Sequence, residues 1–125
     1  MIDIKCMDSS AWLGYYFGEF TEVKKIVDGE NILITSSLSL FEIKKKLLSL
    51  KKDPQFFLEF IKERSEIIEP TIEITEKAAE IAIQERLAAV DALIYTTSSM
   101  HDAILITGDN DFKDCQNVLL LHKKR

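Results

Sequence analysis

The chain has 125 residues, 46% hydrophobic and 30% charged, with a net charge of −5, a length that suits one domain burying roughly two-thirds of its unfolded surface without staples. The negative charge argues against holding a polyanion by broad electrostatic attraction. No apolar stretch approaches the roughly 20 residues needed to span a bilayer, no cationic segment leads into an apolar leader, and Cys6 and Cys115 lack zinc-ligand spacing, so a cytoplasmic chain with free thiols is expected.

Ile2–Met7 reads as the first strand and ends at Asp8. Ser9 or Ser10 can cap a helix over Ala11–Phe17, with Trp12, Leu13 and Tyr16 as its apolar positions and Gly18 as its stop. A second short helix, Thr21–Val27, reaches the Asp28-Gly29 turn, and Asn31–Thr35 is the next strand. Ser36 and Ser37 offer caps for a long helix, Leu38–Leu50, in which Leu40, Ile43, Leu47 and Leu50 recur at helical spacing. Asp53-Pro54 closes that helix and opens Gln55–Arg64, because aspartate caps well and proline fits the first turn. Ser65–Glu69 is a short strand ended by Pro70, which cannot continue a ladder.

Thr75–Leu87 forms the next helix, with Ala78, Ala79, Ala82 and Ile83 expected to pack inward, and Ala88–Met100 forms another that contains Asp91. Ala103–Ile106 is an unbroken apolar run suited to a strand buried on both faces; it stops at Thr107-Gly108, followed by Asp109 and Asp111 in alternate positions. Val118–Leu121 supplies the last strand. This order predicts an α/β fold: a three-layer α-β-α sandwich around a mainly parallel sheet of four to five strands, one domain over residues 1–125.

In open parallel sheets, ligands sit beyond the carboxyl ends of the strands. Four acids fall in that half: Asp8 after the first strand, Glu42 in the second turn of the long helix, Asp91 near the start of the late helix, and Asp109 after the fourth strand. Asp91 lies between Val90 and Ala92-Leu93-Ile94, where an unpaired carboxylate is costly. Two carboxylates about 4 Å apart repel by roughly 4 kcal/mol at an effective dielectric near 20, so a convergent set requires a cation or retained protons. All-oxygen donors favour Mg2+ or Mn2+, ions that lower the pKa of a bound water and stabilise the leaving oxygen of a phosphodiester. Ser10 and Thr107 are placed to hydrogen-bond the carboxylates or a substrate phosphate. Each acid also has a plainer reading: Asp8 as a helix cap, Glu42 as an exposed helix residue, Asp91 as a helix-start charge, Asp109-Asn110-Asp111 as a polar turn. Lys44, Lys45, Lys46, Lys51 and Lys52, with the tail Lys123-Lys124-Arg125, read first as solvated faces.

Asp8-Ser9-Ser10-Ala11-Trp12-Leu13, Ser39-Leu40-Phe41-Glu42-Ile43, Val90-Asp91-Ala92-Leu93-Ile94 and Thr107-Gly108-Asp109-Asn110-Asp111-Phe112 together resemble the motifs of PIN domains, best known as the toxin ribonucleases of VapC-type toxin–antitoxin pairs. The resemblance spans the whole chain, including the order of its elements. It implies an endoribonuclease that hydrolyses RNA phosphodiester bonds with Mg2+ or Mn2+, carried by Asp8, Glu42, Asp91 and Asp109 as catalytic and metal-binding acids, with Asp111 as an accessory acid. It also implies a homodimer held inactive by an antitoxin protein that covers the acidic site. Other members of the family act in RNA processing, and some are non-catalytic modules that bind RNA or protein; both remain alternatives for this chain. Two features depart from the family pattern: the segment after Asp109 is not basic, and Tyr95 and Thr96 follow Asp91 in place of small residues. A response-receiver fold fits less well, because the third strand ends at Glu69-Pro70, where the phosphoryl-accepting aspartate would be expected.

Overall fold

The computed structural model describes residues 3–123. Met1, Ile2, Lys124 and Arg125 lie outside the described residues, and with them the first residue of the strand expected from Ile2 and the end of the basic tail. Five strands, β1 (Ile4–Met7), β2 (Ile32–Ser36), β3 (Glu66–Ile68), β4 (Ile104–Thr107) and β5 (Val118–Leu120), form one sheet in the order β3-β2-β1-β4-β5. Every neighbouring pair is parallel, with Cys6 opposite both Ile34 and Leu105 and Met7 opposite Ile106. The connecting helices are α1 (Ser9–Phe17), α2 (Thr21–Asp28), α3 (Ser37–Ser49), α4 (Gln55–Arg64), α5 (Ile72–Glu85) and α6 (Ala89–Met100).

Side chains alternate across a strand, so consecutive apolar residues serve opposite faces. Met7, Leu33 and Ile106 join Trp12, Val23, Ile43, Leu47 and Ile61 in a core beneath α1 to α4. Cys6, Ile34 and Leu105 join Ala78, Ile81, Ala92, Ile94 and Phe112 in a second core beneath α5 and α6. The expected three-layer sandwich is therefore present. From the central β1 the chain winds outward to β2 and β3, then returns to β4 and β5 on the other side. That reversal makes a crevice at the carboxyl ends of β1 and β4, the place where such sheets accept ligands.

Several local expectations need correction. The cap of α1 is Asp8, whose side chain accepts a hydrogen bond from the Ala11 backbone N–H at 2.9 Å, and Ser9 and Ser10 lie inside the helix. Helix α5 begins three residues earlier than expected, because Thr71 caps it by accepting from the Ile74 N–H at 3.1 Å. Its buried stripe is Ile74, Ala78 and Ile81, while Ala79 and Ile83, expected inside, face solvent, Ile83 at 82% exposure. Leu50 lies beyond the end of α3 and is exposed, not part of the core. Both Cys6 and Cys115 are free thiols, and burial pushes the Cys6 thiol up to about 12. Among the described residues no helix is long and apolar enough to cross a membrane.

Trp12 ties three elements together. Its ring is fully buried, and its indole N–H donates to Thr35 Oγ1 at 3.0 Å. The Ser65 hydroxyl donates to the Ile61 carbonyl at 2.9 Å, so in the 2.8 Å contact between Thr35 and Ser65 the Thr35 hydroxyl is the donor. The relay thus satisfies the Trp12 indole N–H and the Thr35 and Ser65 hydroxyls. Trp12→Ala is expected to lower stability by about 3–5 kcal/mol through the cavity and the lost hydrogen bond to Thr35, read as a fall in the urea midpoint at constant slope. A loss below about 1 kcal/mol would contradict this role for the relay.

Candidate active site

β1 and β4 are adjacent and end together, so Asp8 and the Gly108–Asp109 turn leave the sheet side by side. The Asp8 backbone N–H donates to the Ile106 carbonyl at 3.2 Å, which carries the pairing one step beyond the strand. The Asp8 carboxylate is buried; one oxygen accepts from the Ser10 hydroxyl at 2.7 Å and the Ala11 N–H at 2.9 Å, and the other accepts from the Thr107 hydroxyl. The same two hydroxyls hold the turn: Ser10 Oγ accepts from the Gly108 N–H at 2.8 Å, and Thr107 Oγ1 accepts from the Asp109 N–H at 3.0 Å. Asp8 is thus a helix cap and also the centre of a clamp between two loops. Burial pushes its carboxyl up from 3.8 to about 6, opposed by the hydrogen bonds from Thr107, Ser10 and Ala11 and reinforced by the charge of Asp109. Gly108 is required by contact: a Cβ there would lie 2.6 Å from the ring of the buried Phe20.

Beyond the turn, Asp109 Oδ1 accepts from the Asp111 N–H at 2.9 Å and opens a single 3-10 turn, Asn110–Phe112, anchored by buried Phe112. That local bond brings the Asp111 side chain alongside Asp109. Asp91 stands in the first turn of α6. One carboxylate oxygen from each of Asp91, Asp109 and Asp111 lies within 4.8 Å of the other two. Burial raises the Asp91 carboxyl from 3.8 to about 6, and the charges of Asp109, Glu42 and Asp111 add to it. Glu42, on the second turn of α3, accepts from the Ser9 hydroxyl at 3.0 Å.

Of the five acids singled out in the sequence the fold brings Asp91, Asp109 and Asp111 together, while the charge of Glu42 reaches Asp91 and that of Asp109 reaches Asp8. Among the described residues none of the five forms an ion pair with lysine or arginine. Three convergent oxygens with no side-chain counter-charge are a donor set that fits a hard divalent cation such as Mg2+ or Mn2+. Ser10 and Thr107 were expected to support the carboxylates, and their hydroxyls both reach Asp8. Ser9 was read only as a cap, and its bond to Glu42 spans 33 positions of sequence. No local pattern announces such a contact; the only hint was that Ser9 follows Asp8 and opens the helix at the crevice.

A model of the PIN domain family matches residues 5–117. No curated protein matches the chain by sequence. By structure it is similar to a chain of a toxin–antitoxin complex from Klebsiella pneumoniae, with 19% identity and a TM-score of 0.77 over 92% of this chain and 95% of that one. It is also similar to a chain of VapBC2 from Rickettsia felis bound to a DNA fragment from its promoter, with 21% identity and a TM-score of 0.70 over 97% and 99% of the two chains. A third likeness is to the sarcin-ricin loop cleaving toxin VapC20 from Mycobacterium tuberculosis, with 15% identity and a TM-score of 0.70 over 94% and 99%. At these identities the likenesses carry the fold alone.

The raised carboxyls of Asp8 and Asp91 have a stability consequence. Both folded values, about 6, lie above the ordinary 3.8, so the folded state binds protons more tightly than the unfolded one. Their contribution to stability is fully present below about pH 4 and is lost as pH rises through about 6. Asp91 is only partly buried, so solvent screening limits its share to about 1 kcal/mol. Asp91→Asn, in EDTA at pH 7.5, is expected to raise the melting temperature by about 3–5 °C and to shrink the difference between pH 5 and pH 7.5. A lower melting temperature in that variant would show that Asp91 stabilises the fold.

Proposed function

Because the chain belongs to the PIN domain family, we propose that it is a metal-dependent endoribonuclease, the toxin of a toxin–antitoxin pair. The observation that carries this reading is the uncompensated triple of Asp91, Asp109 and Asp111, with carboxylate oxygens within 4.8 Å of one another at the sheet's ligand-binding edge. Those three would hold a Mg2+ or Mn2+ ion, with Asp8 and Glu42 completing the acidic ring. Bound there, such an ion supplies charge neutralisation and Lewis acidity toward a phosphodiester. The remaining work belongs to the chain. Asp8, through Ser10 and Thr107, fixes the position of the Asp109 turn. Glu42, oriented by the Ser9 hydroxyl and near enough for its charge to act on Asp91, accepts the proton of the attacking water. Positioning of this kind leaves little rearrangement for the moment of reaction.

The partner half of the proposal draws on a separate surface. Structural neighbours include toxin–antitoxin assemblies from Klebsiella pneumoniae, Rickettsia felis and Salmonella typhimurium. On this chain, Tyr16, Phe17, Phe57 and Phe60 line a groove of about 790 Å³, with Phe56 at its rim 88% exposed. Exposed contiguous apolar surface marks a protein-binding face, and an antitoxin segment is the occupant that this reading assigns to it. The outward stripe of α5, Ile72 at 80% and Ile83 at 82% exposure, supports a homodimer in the same way. The reading assigns the chain to the cytoplasm, where RNA and an antitoxin would both be met.

The purified protein is expected to cleave RNA with Mg2+ or Mn2+ and not in EDTA. Asp8→Asn and Asp109→Asn should each reduce cleavage by roughly 100-fold or more without unfolding the chain: asparagine keeps one oxygen to cap α1 at position 8 and to accept from the Asp111 N–H at position 109, and only the bond from the Thr107 hydroxyl to position 8 is lost. Full cleavage by both variants would overturn the proposal. Calorimetry showing no divalent-ion binding alongside intact partner binding would instead identify a non-catalytic module.

A further inference from the structure

An acidic ribonuclease must still grip an anionic substrate. The turn after Asp109 continues with Asn110 and Asp111, so it adds negative charge where a strand would approach. A different element offers the opposite. On α3, Leu38, Phe41, Glu42, Lys45 and Ser49 recur at helical spacing, and with Lys46 and Val90 they line a groove of about 460 Å³. That volume falls within the roughly 300–1,000 Å³ of small-ligand pockets and has room for a nucleotide. Glu42 belongs to both the groove and the acidic ring, and Val90 on the facing wall immediately precedes Asp91. The groove is therefore continuous with the crevice. One helical turn beyond Glu42, about 5.4 Å along the axis, stand Lys45 and Lys46, both exposed and neither paired with a carboxylate among the described residues. Phe41, on the same face, is 67% exposed.

Exposed cations beside an exposed aromatic ring are the means by which proteins hold single-stranded nucleic acid, the cations on phosphate and the ring on a base. We propose that the α3 groove is the substrate grip of this chain: Lys45 and Lys46 contact the backbone phosphates of single-stranded RNA, and Phe41 stacks on a base next to the scissile bond. This assignment rests on the ribonuclease reading above. It makes Phe41, Lys45 and Lys46 positioning residues that keep the phosphodiester over the acids against their repulsion.

The test is fluorescence anisotropy of the full chain with a labelled single-stranded RNA in EDTA, where cleavage is off, across a salt series. Lys45→Gln/Lys46→Gln is expected to weaken binding by about tenfold at low salt and to reduce the slope of log affinity against log salt by about 1.4, roughly 0.7 for each phosphate that the variant no longer neutralises. Phe41→Ala should weaken binding by about tenfold with the slope unchanged. Unchanged affinity and slope in all variants would overturn the grip. So would unchanged RNA binding by Phe41→Ala together with dissociation of a dimer in sedimentation, which would assign the face to a second copy of the chain. Mn2+ titration and cleavage by the unmodified chain, run in parallel, separate the two proposals: cleavage with indifferent variants removes only the grip, whereas weakened variants without Mn2+ binding remove only the nuclease.

Discussion

The Asp8 carboxylate is the interaction on which the rest of this structure depends. A parallel sheet brings the ends of β1 and β4 together, but it does not fix the loops that leave them. Asp8 does so by accepting from the Ala11 N–H, the Ser10 hydroxyl and the Thr107 hydroxyl, two of which in turn hold the Gly108 and Asp109 amides. A buried carboxylate is tolerable only when its oxygens are satisfied, and here the groups that satisfy it are also those that aim Asp109. The cap of α1 and the geometry of the crevice are a single hydrogen-bond network. Phe20, wedged against Gly14 and Gly108, supports the same turn from below.

Around that clamp the chain concentrates negative charge, and among the described residues none of these acids pairs with lysine or arginine. The rise of the Asp91 carboxyl to about 6 reflects burial first and then repulsion from Asp109, Glu42 and Asp111. Groups so arranged weaken a fold in the absence of a ligand and bind a divalent cation well, the usual tension between stability and a preorganised site. The surrounding fold can bear the cost because its two cores, one on each face of the sheet, are closed by residues such as Trp12, Ile43, Ile94 and Leu105 with almost no exposure.

Much of this architecture was legible in the sequence because it is local. Short apolar runs gave the strands, and Ser36, Pro54 and Gly18 marked helix boundaries within a residue or two. Helix α5 starts earlier than its apolar spacing suggests because Thr71, just after Pro70, caps it through the bond to Ile74; its inward row is Ile74, Ala78 and Ile81, which leaves Ala79 and Ile83 outside. At the site, the acids announced themselves by their places after strands, and the plain reading of Asp8 as a cap proved compatible with a place in the crevice. One contact was hidden for a tertiary reason: Ser9 meets Glu42 only because α1 packs on α3.

The account reduces to one claim: the carboxylates of Asp91, Asp109 and Asp111 share a divalent ion. Anomalous diffraction from crystals grown with Mn2+ tests it most directly. The account predicts a peak within coordination distance of oxygens from Asp91 and Asp109, with Asp111 bound directly or through water. Well-ordered carboxylates at this crevice with no anomalous peak among them, at Mn2+ concentrations that saturate other sites, would contradict it.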